Sequence, residues 1–253
     1  MSLKKWTKQP RLWRKKPRLP KRRVSNSRSS TDRPIPVLHA FSPSVISEPA
    51  DWPETAKSTG YWFLDEPILE WSPSPELLQF LANDSPPIYV GFGSIFGRDA
   101  MTTTKIVVDA ITQAEVRAVV ATGWGGLNIT NIELPENVLA IESAPHDWLF
   151  PQVAAVVHHG GCGTTAAGLR AGKPTVICPF FGDQPFWGDI VHRLGVGPLP
   201  IPQKKLTAEK LSLAIRAAVN DEAIRSSSEA IGRQIRDEDG VAEAVAFIER
   251  LFQ

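Results

Sequence analysis

Beyond Pro87, the sequence alternates short apolar runs with longer amphipathic stretches. This alternation is typical of successive βα units around a parallel sheet. Each apolar run is rich in Val and Ile, as expected for strands that are buried on both faces. The predicted fold class is therefore an α/β, Rossmann-like parallel sheet flanked by helices. The predicted strands are Ile88 to Gly93, Arg117 to Thr122, Val138 to Ile141, Ala154 to His158 and Thr175 to Pro179.

The amphipathic stretches predict helices between these strands. The stretch Thr102 to Ala114 carries apolar residues at helical spacing. The stretch Thr164 to Ala171 follows a glycine-rich loop and stops at Gly172, shortly before a proline, which is a common way for a helix to end. Further helices are predicted at Leu206 to Val219, with Thr207 as N-cap, and around Val241 to Phe252.

The first 86 residues differ in composition from the rest. Residues 1–33 hold 13 of the 28 Lys and Arg residues but one acid, which leaves 15 basic and 26 acidic residues beyond them. Because so basic a segment has too little apolar surface to fold alone, it predicts a disordered extension. Residues 34–86 contain many prolines and scattered aromatics, which favours an extended connector over a helix or a buried strand. The predicted nucleotide-sugar-binding domain is residues 87–253.

The basic extension is open to several interpretations: a tether to nucleic acid or to an anionic membrane, a nuclear signal, a solvated extension, or the remnant of an upstream domain. No stretch approaches the roughly 20 apolar residues of a membrane-spanning helix, and the N-terminus lacks the apolar core of a secretory signal. The two cysteines, Cys162 and Cys178, lie in different contexts, so reduced thiols are expected. We therefore expect a cytoplasmic protein, with peripheral membrane contact through the basic N-terminus as an option.

Glycine and polar residues follow every predicted strand. In a parallel sheet, ligands bind beyond the carboxyl ends of the strands, where helix N-termini present free N–H groups. The most informative segment runs from His158 to Thr165 and contains three glycines, which let the backbone approach a ligand closely. His159 and Thr164 can each donate a hydrogen bond to a phosphoryl oxygen. The segment therefore suits a diphosphate, although a plain strand-to-helix turn with threonine as N-cap would use the same residues.

Two common phosphate-binding folds fit poorly. The segment Gly91 to Gly97 approximates a dinucleotide fingerprint, but its third glycine comes one place late. The second predicted strand ends in Thr122-Gly123 rather than in an acid that could bind ribose, so a nicotinamide enzyme is disfavoured. The sequence contains no Gly-x-x-x-x-Gly-Lys-Ser/Thr motif, which excludes a P-loop NTPase.

Several ordered motifs resemble the donor-sugar signature of UDP-glycosyltransferases: Ala144 to Pro151, His159 to Thr165, Ala171 to Pro174 and Pro179 to Gln184. Further segments resemble the sterol 3-β-glucosyltransferase-like and antibiotic glycosyltransferase branch of that family: Gly60 to Pro67, Tyr89 to Ser94 and Thr122 to Leu127. The resemblance covers about residues 34 to 200. It implies one half of a GT-B fold, the C-terminal domain that binds a UDP-sugar donor, with UDP-glucose expected.

The resemblance also implies roles for single residues. The residues expected to contact the diphosphate are Ser94, His159, Gly161, Gly163 and Thr164. The segment from Ser143 to His146 is expected beside the uracil, and Gly123 and Trp124 are expected to complete the donor site. Asp183 and Gln184 would hold the hexose hydroxyls, and a carboxylate beside a carboxamide does offer acceptors and donors for adjacent hydroxyls.

Some of these residues have a structural alternative. Asp183 could instead be the N-cap of the helix through Phe186 to Leu194. Trp124 and Trp187 could stack on base or sugar, but tryptophans beside glycines more often cover backbone. His158 is expected to be structural, because alternation along the strand turns it away from the face occupied by His159.

The resemblance implies inverting hexosyl transfer without a metal or another cofactor, since family members stabilise the leaving UDP with helix N-termini. Asp237-Glu238-Asp239 matches a metal-binding Asp-x-Asp motif, but it follows a polar helix, so we interpret it as a solvated charge cluster. Family members supply the catalytic base from an N-terminal acceptor-binding domain. Nothing before residue 34 resembles that domain, so the catalytic residues stay unassigned.

Three hypotheses follow. The first is a glycosyltransferase donor domain that serves a lipid, sterol or other small hydroxylated acceptor and depends on an absent segment or a separate acceptor-binding subunit. The second is a non-catalytic nucleotide-sugar-binding module or a truncated enzyme. The third is a nucleic-acid-associated protein whose binding comes from the basic extension.

Overall fold

The computed structural model describes residues 35–64, 71–83, 85–93, 100–123, 126–130 and 132–251. The chain divides into two compact units. The described part of the smaller unit, residues 35–39 and 49–57, holds strand β1 (Val37–His39) and most of strand β2 (Ala56–Ser58). In this unit the His39 ring stacks on Trp52, with ring centroids 4.3 Å apart. The extension at residues 1–33, predicted to be disordered, lies outside the described residues.

The larger unit comprises residues 40–48 and those from 58 onward, and it contains a five-stranded parallel sheet. The spatial order is β5-β4-β3-β6-β7. All five predicted strands are confirmed, and four of them are two residues shorter than predicted. The strands are β3 (Ile88–Gly91), β4 (Ala118–Ala121), β5 (Val138–Ile141), β6 (Val156–His158) and β7 (Thr175–Ile177).

Helices connect and cover these strands, and every predicted helix is confirmed with small shifts at its ends. Thr207 is an N-cap as predicted, since its side chain accepts a hydrogen bond from the Lys210 N–H at 3.3 Å. The described α-helices are α1 (Pro75–Leu81), α2 (Ala100–Ala114), α3 (His146–Leu149), α4 (Cys162–Arg170), α5 (Gln184–Arg193), α6 (Ala208–Asn220), α7 (Glu222–Asp237) and α8 (Gly240–Leu251). Short 3-10 helices run over Phe150–Gln152 and Gln203–Lys205.

The prediction of an extended connector at residues 34–86 is wrong for α1. Pro75 occupies the first turn of this helix, where a missing N–H leaves no helical hydrogen bond unmade. Ser74 caps the helix by accepting a hydrogen bond from the Leu77 N–H at 3.2 Å. Leu77 is buried in the core. Proline therefore starts a helix here rather than preventing one.

The sheet is buried on both faces, as the apolar runs predicted. Val90 and Val120 pack in one cluster with residues of α2 and α6. Their neighbours along the strands, Tyr89 and Val119, face the other side and pack with residues of α1 and α3. This alternation follows from the two-residue period of a strand. The alternation therefore determines on which face of the sheet each side chain at a strand end lies.

The strand order reverses between β3 and β6. The chain moves outward from β3 through β4 to β5, and then returns to place β6 on the other side of β3. In doubly wound sheets, ligands bind in the crevice beyond the carboxyl ends of the strands at such a reversal. Gly91 at the end of β3 pairs with His158 at the end of β6, so the loops that follow both strands meet at this point.

Candidate functional site

Three strand-ending loops pack together at the carboxyl edge of the sheet. Gly93, after β3, has φ of +64°, and a Cβ at this position would lie 3.4 Å from His159 Cε1. After β4, a Cβ at Gly123 or at Gly126 would lie 3.0 Å or 2.6 Å from the Gly93 carbonyl oxygen. Glycine is required at these positions because backbone from one loop contacts backbone or ring atoms of the next.

The loop after β6 is pressed against the start of α5. Gly160 has φ of +89°, and a Cβ here would lie 2.7 Å from Ile177 Cγ2 and 3.1 Å from the Gln184 carbonyl oxygen. A Cβ at Gly161 would lie 2.5 Å from His159 Nε2. The glycines thus bring the His159 ring, the loop and the first residue of α5 into direct contact.

The N-terminus of helix α4 lies directly after the loop that follows β6. Its N-cap is Gly161, and no side chain makes a capping hydrogen bond. The sequence alternative of a threonine N-cap is therefore wrong: Thr164 lies inside the helix, and Thr165 Oγ1 donates to the Gly161 carbonyl at 2.9 Å. A Cβ at Gly163 would meet no atom within 4 Å. Such uncapped N–H groups at the positive end of a helix dipole suit an anion.

His158 has a structural role, as predicted. Its ring is fully buried, and Nδ1 accepts a hydrogen bond from the Gly160 N–H at 3.0 Å, which places the proton of the neutral ring on Nε2. Burial, together with His159 and His146, holds the pKa of His158 well below its usual value of 6.5. The neutral ring therefore fixes the loop through Gly160.

His159 presents an unpaired nitrogen to the site. Its ring is half-buried, and its buried Nδ1 has no hydrogen-bond partner among the described residues. Burial lowers the pKa of His159, while the Asp183 carboxylate acts in the opposite direction. A polar atom that is shielded from water and lacks a protein partner is a candidate for contact with a ligand.

Asp183 is fixed by a tryptophan. It occupies the N-cap position of α5 but makes no capping hydrogen bond, so the N-cap alternative for its side chain is wrong. Instead, Asp183 Oδ2 accepts a hydrogen bond from Trp187 Nε1 at 3.0 Å. Trp187 is buried and belongs to an apolar cluster, which agrees with its interpretation as a packing residue. The carboxylate itself stays at the exposed start of the helix.

Gln184 is fixed by the loop that precedes it. Its side chain is buried, and Oε1 accepts hydrogen bonds from the N–H groups of Phe180 at 2.7 Å and Phe181 at 3.1 Å. The carboxamide oxygen thus holds the turn between β7 and α5. Any contact of this side chain with hexose hydroxyls would fall to its amide nitrogen.

The segment predicted beside the uracil lies at the end of β5. The His146 ring stacks on Phe150 with centroids 4.3 Å apart, meets the edge of Tyr89 at 5.8 Å, and has its pKa lowered mainly by burial. Ser143 is exposed and borders a cavity of about 220 Å³ that Trp71 also lines. Two further predicted site residues, Ser94 and Trp124, lie outside the described residues.

In the acidic run at the end of α7, Asp237 and Asp239 are exposed, as predicted for a solvated cluster, whereas Glu238 is half-buried and has a structural role. Glu238 Oε1 accepts hydrogen bonds from Ser42 Oγ at 2.6 Å and from Ser44 Oγ at 3.2 Å. Asp239 Oδ1 accepts one from the Ala242 N–H at 2.9 Å, at the start of α8. Among the described residues, no group of three or more His, Cys, Asp or Glu side chains could hold a metal ion.

In the described part of the chain, none of the helices has the length and apolar character needed to cross a bilayer.

The hydrogen bonds that fix Asp183 and Gln184 were not predicted from the sequence. One signal was present, since Asp183 and Trp187 are four residues apart and so lie on one face of a helix. The contact between Glu238 and Ser42 joins residues 196 positions apart, so no local pattern could have predicted it.

Comparison with known proteins identifies the family. Residues 105–251 match the erythromycin biosynthesis protein CIII-like C-terminal domain. The chain is 46% identical to a sterol 3-beta-glucosyltransferase of Arabidopsis thaliana over 83% of its length, and 43% identical to one of Yarrowia lipolytica over 94%. It spans 34% and 17% of the lengths of these two relatives.

Solved structures show the same fold. The glycotransferase of kitacinnamycin matches 98% of this chain with a TM-score of 0.74 and 19% identity, and 62% of that structure is covered. The glycosyltransferase SnogD from Streptomyces nogalater matches 85% of this chain with a TM-score of 0.63 and 25% identity, with 55% of it covered. The fold is one half of a GT-B glycosyltransferase. The chain therefore belongs to the erythromycin biosynthesis protein CIII-like C-terminal domain family, within the UDP-glycosyltransferases of GT-B fold.

Proposed function

We propose that this chain binds UDP-glucose and serves as the donor domain of an inverting glycosyltransferase that transfers the hexose to a sterol or a similar hydroxylated lipid. The names of the relatives from Arabidopsis thaliana and Yarrowia lipolytica support the sterol acceptor. The chain spans 34% of the length of the Arabidopsis relative. The transferase activity of the whole protein is therefore also a proposal.

One observation carries the proposal: the diphosphate-type loop and the predicted sugar-binding pair meet at the strand-order reversal. A Cβ on Gly160 would lie 3.1 Å from the Gln184 carbonyl oxygen, so the loop after β6 runs close to the start of α5. Burial lowers the pKa of His159 and raises the pKa of Cys162, and the Asp183 carboxylate acts on both groups in the raising direction. Groups suited to a phosphate and groups suited to sugar hydroxyls therefore lie within electrostatic reach of one another.

In the proposed complex, the diphosphate lies against the N-terminus of α4. The uncapped N–H groups from Cys162 onward and the helix dipole would stabilise the negative charge that develops on the leaving UDP. The unpaired Nδ1 of His159 would donate to a phosphoryl oxygen when protonated, and Thr164 would add a hydroxyl donor. This arrangement supplies positive potential from the backbone, so the proposal includes no metal or other cofactor.

The hexose is proposed to lie beside the start of α5. Asp183, held by Trp187, would accept hydrogen bonds from sugar hydroxyls, and the Gln184 amide nitrogen would donate one. Because both side chains are fixed before the ligand arrives, they would position the anomeric carbon at little entropic cost. Ser143 and His146 would border the base.

Transfer itself needs an acceptor and a base. The acceptor oxygen attacks the anomeric carbon, the bond from that carbon to the phosphate oxygen breaks, UDP leaves, and a base takes the hydroxyl proton. Such a base contributes about 10² to 10⁴ in rate. We propose that the base comes from an acceptor-binding segment or subunit outside the described residues. The chain alone would then bind the donor but transfer the hexose slowly.

Isothermal titration with UDP-glucose and with UDP tests this assignment. Asp183→Ala should weaken UDP-glucose binding by about tenfold or more, because a hydrogen-bonded charged group contributes about 1.5–3 kcal/mol. It should leave UDP affinity unchanged, since UDP carries no hexose. Asp189→Ala is the matched control, because Asp189 is an exposed carboxylate of the same helix. It should change neither affinity.

The contrary result is also clear. If the unmodified chain shows no heat of binding with millimolar UDP-glucose, the proposed donor site does not exist. If Asp183→Ala weakens UDP and UDP-glucose equally, Asp183 does not contact the sugar.

A further inference from the structure

The loop between β7 and α5 exposes aromatic side chains around Asp183. The side chains of Phe181 and Phe186 are 65% and 46% exposed, and Pro185 between them is also exposed. Asp183 is the one charged residue in the sequence from 179 to 187. Large aromatic side chains that remain in water beside a binding site indicate a contact surface.

The backbone of Phe181 and the ring of Phe186 make contacts with the residues that fix the polar pair. The Phe181 N–H donates to Gln184 Oε1 at 3.1 Å. The Phe186 ring meets the buried Trp187 ring edge-on, with centroids 5.4 Å apart, and Trp187 holds Asp183. The aromatic surface is therefore positioned together with Asp183 and Gln184.

The space next to this surface is open. Gly182 has φ of +69°, and a Cβ built on it meets no atom within 4 Å. The same holds for Gly163 in the neighbouring loop.

We infer that Phe181 and Phe186 form the donor-domain wall of the acceptor site, and that this wall packs against an uncharged, fused-ring alcohol of the sterol class. The inference rests on the proposed function. An acceptor hydroxyl must come within about 3–3.5 Å of the anomeric carbon, so the body of the acceptor has to pass over the loop that holds the hexose. Flat apolar rings match two exposed aromatic side chains, whereas a charged acceptor would lose hydration there.

A fluorescent sterol tests the inference. Dehydroergosterol, delivered as a cyclodextrin complex with no bilayer present, accepts energy from protein tryptophans, of which the chain has eight. We expect saturable energy transfer with the unmodified chain. Each of Phe181→Ser and Phe186→Ser should weaken sterol affinity by about three- to tenfold, since partial burial of a phenylalanine is involved. The double variant should combine both losses.

Two controls separate contact from folding. Leu213→Ser removes an apolar side chain that is 59% exposed, in a groove lined by Leu199 and Lys210, and it should leave sterol affinity unchanged. Phe181→Leu with Phe186→Leu keeps an apolar surface and should retain most of the affinity. Leu213→Ser should also leave UDP-glucose affinity unchanged, and in the serine variants the loss of sterol affinity should exceed any change in UDP-glucose affinity.

Three results would overturn the inference: no saturable sterol signal from the unmodified chain, equal sterol affinity in the double serine variant, or equal loss in Leu213→Ser. A fourth would replace it with insertion into a bilayer, namely phenylalanine-dependent retention on phosphatidylcholine vesicles that contain no sterol. Failure of the proposed donor function appears separately, as absent UDP-glucose binding with the sterol signal intact.

Discussion

At the scale of single residues, three polar side chains of the candidate site are fixed by a protein partner, whereas His159 Nδ1 has none among the described residues. Trp187 holds Asp183, the amides of Phe180 and Phe181 hold Gln184, and the Gly160 N–H holds His158. The sequence predicted that His159, Asp183 and Gln184 lie beyond the carboxyl ends of strands, because the strand ends could be read directly. It could not predict their partners, since those depend on side-chain conformations set by the packed loops.

Replacing Trp187 with phenylalanine tests whether this fixing matters for binding. The substitution keeps an aromatic ring but removes the N–H that holds Asp183. We expect UDP-glucose affinity to fall by about three- to tenfold, because an exposed carboxylate loses a charge-assisted hydrogen bond. UDP affinity should not change. Isothermal titration measures both, and an equal loss for the two ligands would point to disturbed packing instead.

The buried histidines predict a loss of stability in acid. The pKa of His158 is well below 6.5 in the folded chain, so below pH 6.5 the unfolded state binds protons that the folded state excludes. Stability should therefore fall as the pH drops below about 6.5, with His158 contributing at most about 1.4 kcal/mol per pH unit. His146 and His159, whose pKa values are also lowered, add to this slope.

Urea unfolding at several pH values measures this slope. His158→Asn keeps an acceptor for the Gly160 N–H, because asparagine Oδ1 takes the place of Nδ1, but it cannot bind the proton. The slope below pH 6.5 should decrease by one proton relative to the unmodified chain. An unchanged slope would show that His158 is charged in the folded state.

At the scale of elements, two glycines between β6 and α4 are expected to have different roles. Gly160 is needed for folding, and Gly163 leaves space for the ligand. Gly160→Ala should destabilise the chain by about 2–4 kcal/mol, since its positive φ is strained for alanine and the methyl group meets Ile177. Gly163→Ala should instead raise stability by about 0.5–1 kcal/mol, because Gly163 is helical and its surroundings are empty.

The same Gly163→Ala variant should bind UDP-glucose more weakly, because its methyl group would occupy the space proposed for the diphosphate. Thermal unfolding and isothermal titration on one preparation give both quantities. A variant that is more stable and binds donor equally well would show that the ligand does not approach α4 at this point.

The strands were predictable because strands buried on both faces leave continuous Val- and Ile-rich runs in the sequence. Helix α1 was not predicted, because prolines around it suggested an extended chain, whereas Ser74 and Pro75 in fact form a helix start. The N-terminus of α4 was placed two residues late, because Cys162 and Gly163 carry no apolar signal and the helix has no side-chain cap.

At the scale of the whole molecule, basic residues are concentrated at residues 1–33, whereas the proposed donor-site residues lie from Ser94 onward. The basic residues 1–33 are separate in sequence from every residue proposed to contact donor. Deleting residues 1–33 should therefore leave UDP-glucose affinity unchanged, while it should abolish any salt-dependent retention on anionic vesicles or on nucleic acid. Titration and co-sedimentation measure the two effects. Reduced donor affinity in the shortened chain would show that the extension contributes to the site.

The most direct test of the account is an NMR titration of the full chain with UDP-glucose, recording backbone amide shifts. We predict saturable changes at Gly161 to Thr164 and at Phe181 to Gln184, with none in the groove around Leu199 and Leu213. Shifts confined to that groove, or no shifts with millimolar ligand, would contradict the claim that α4 and α5 together hold a sugar nucleotide.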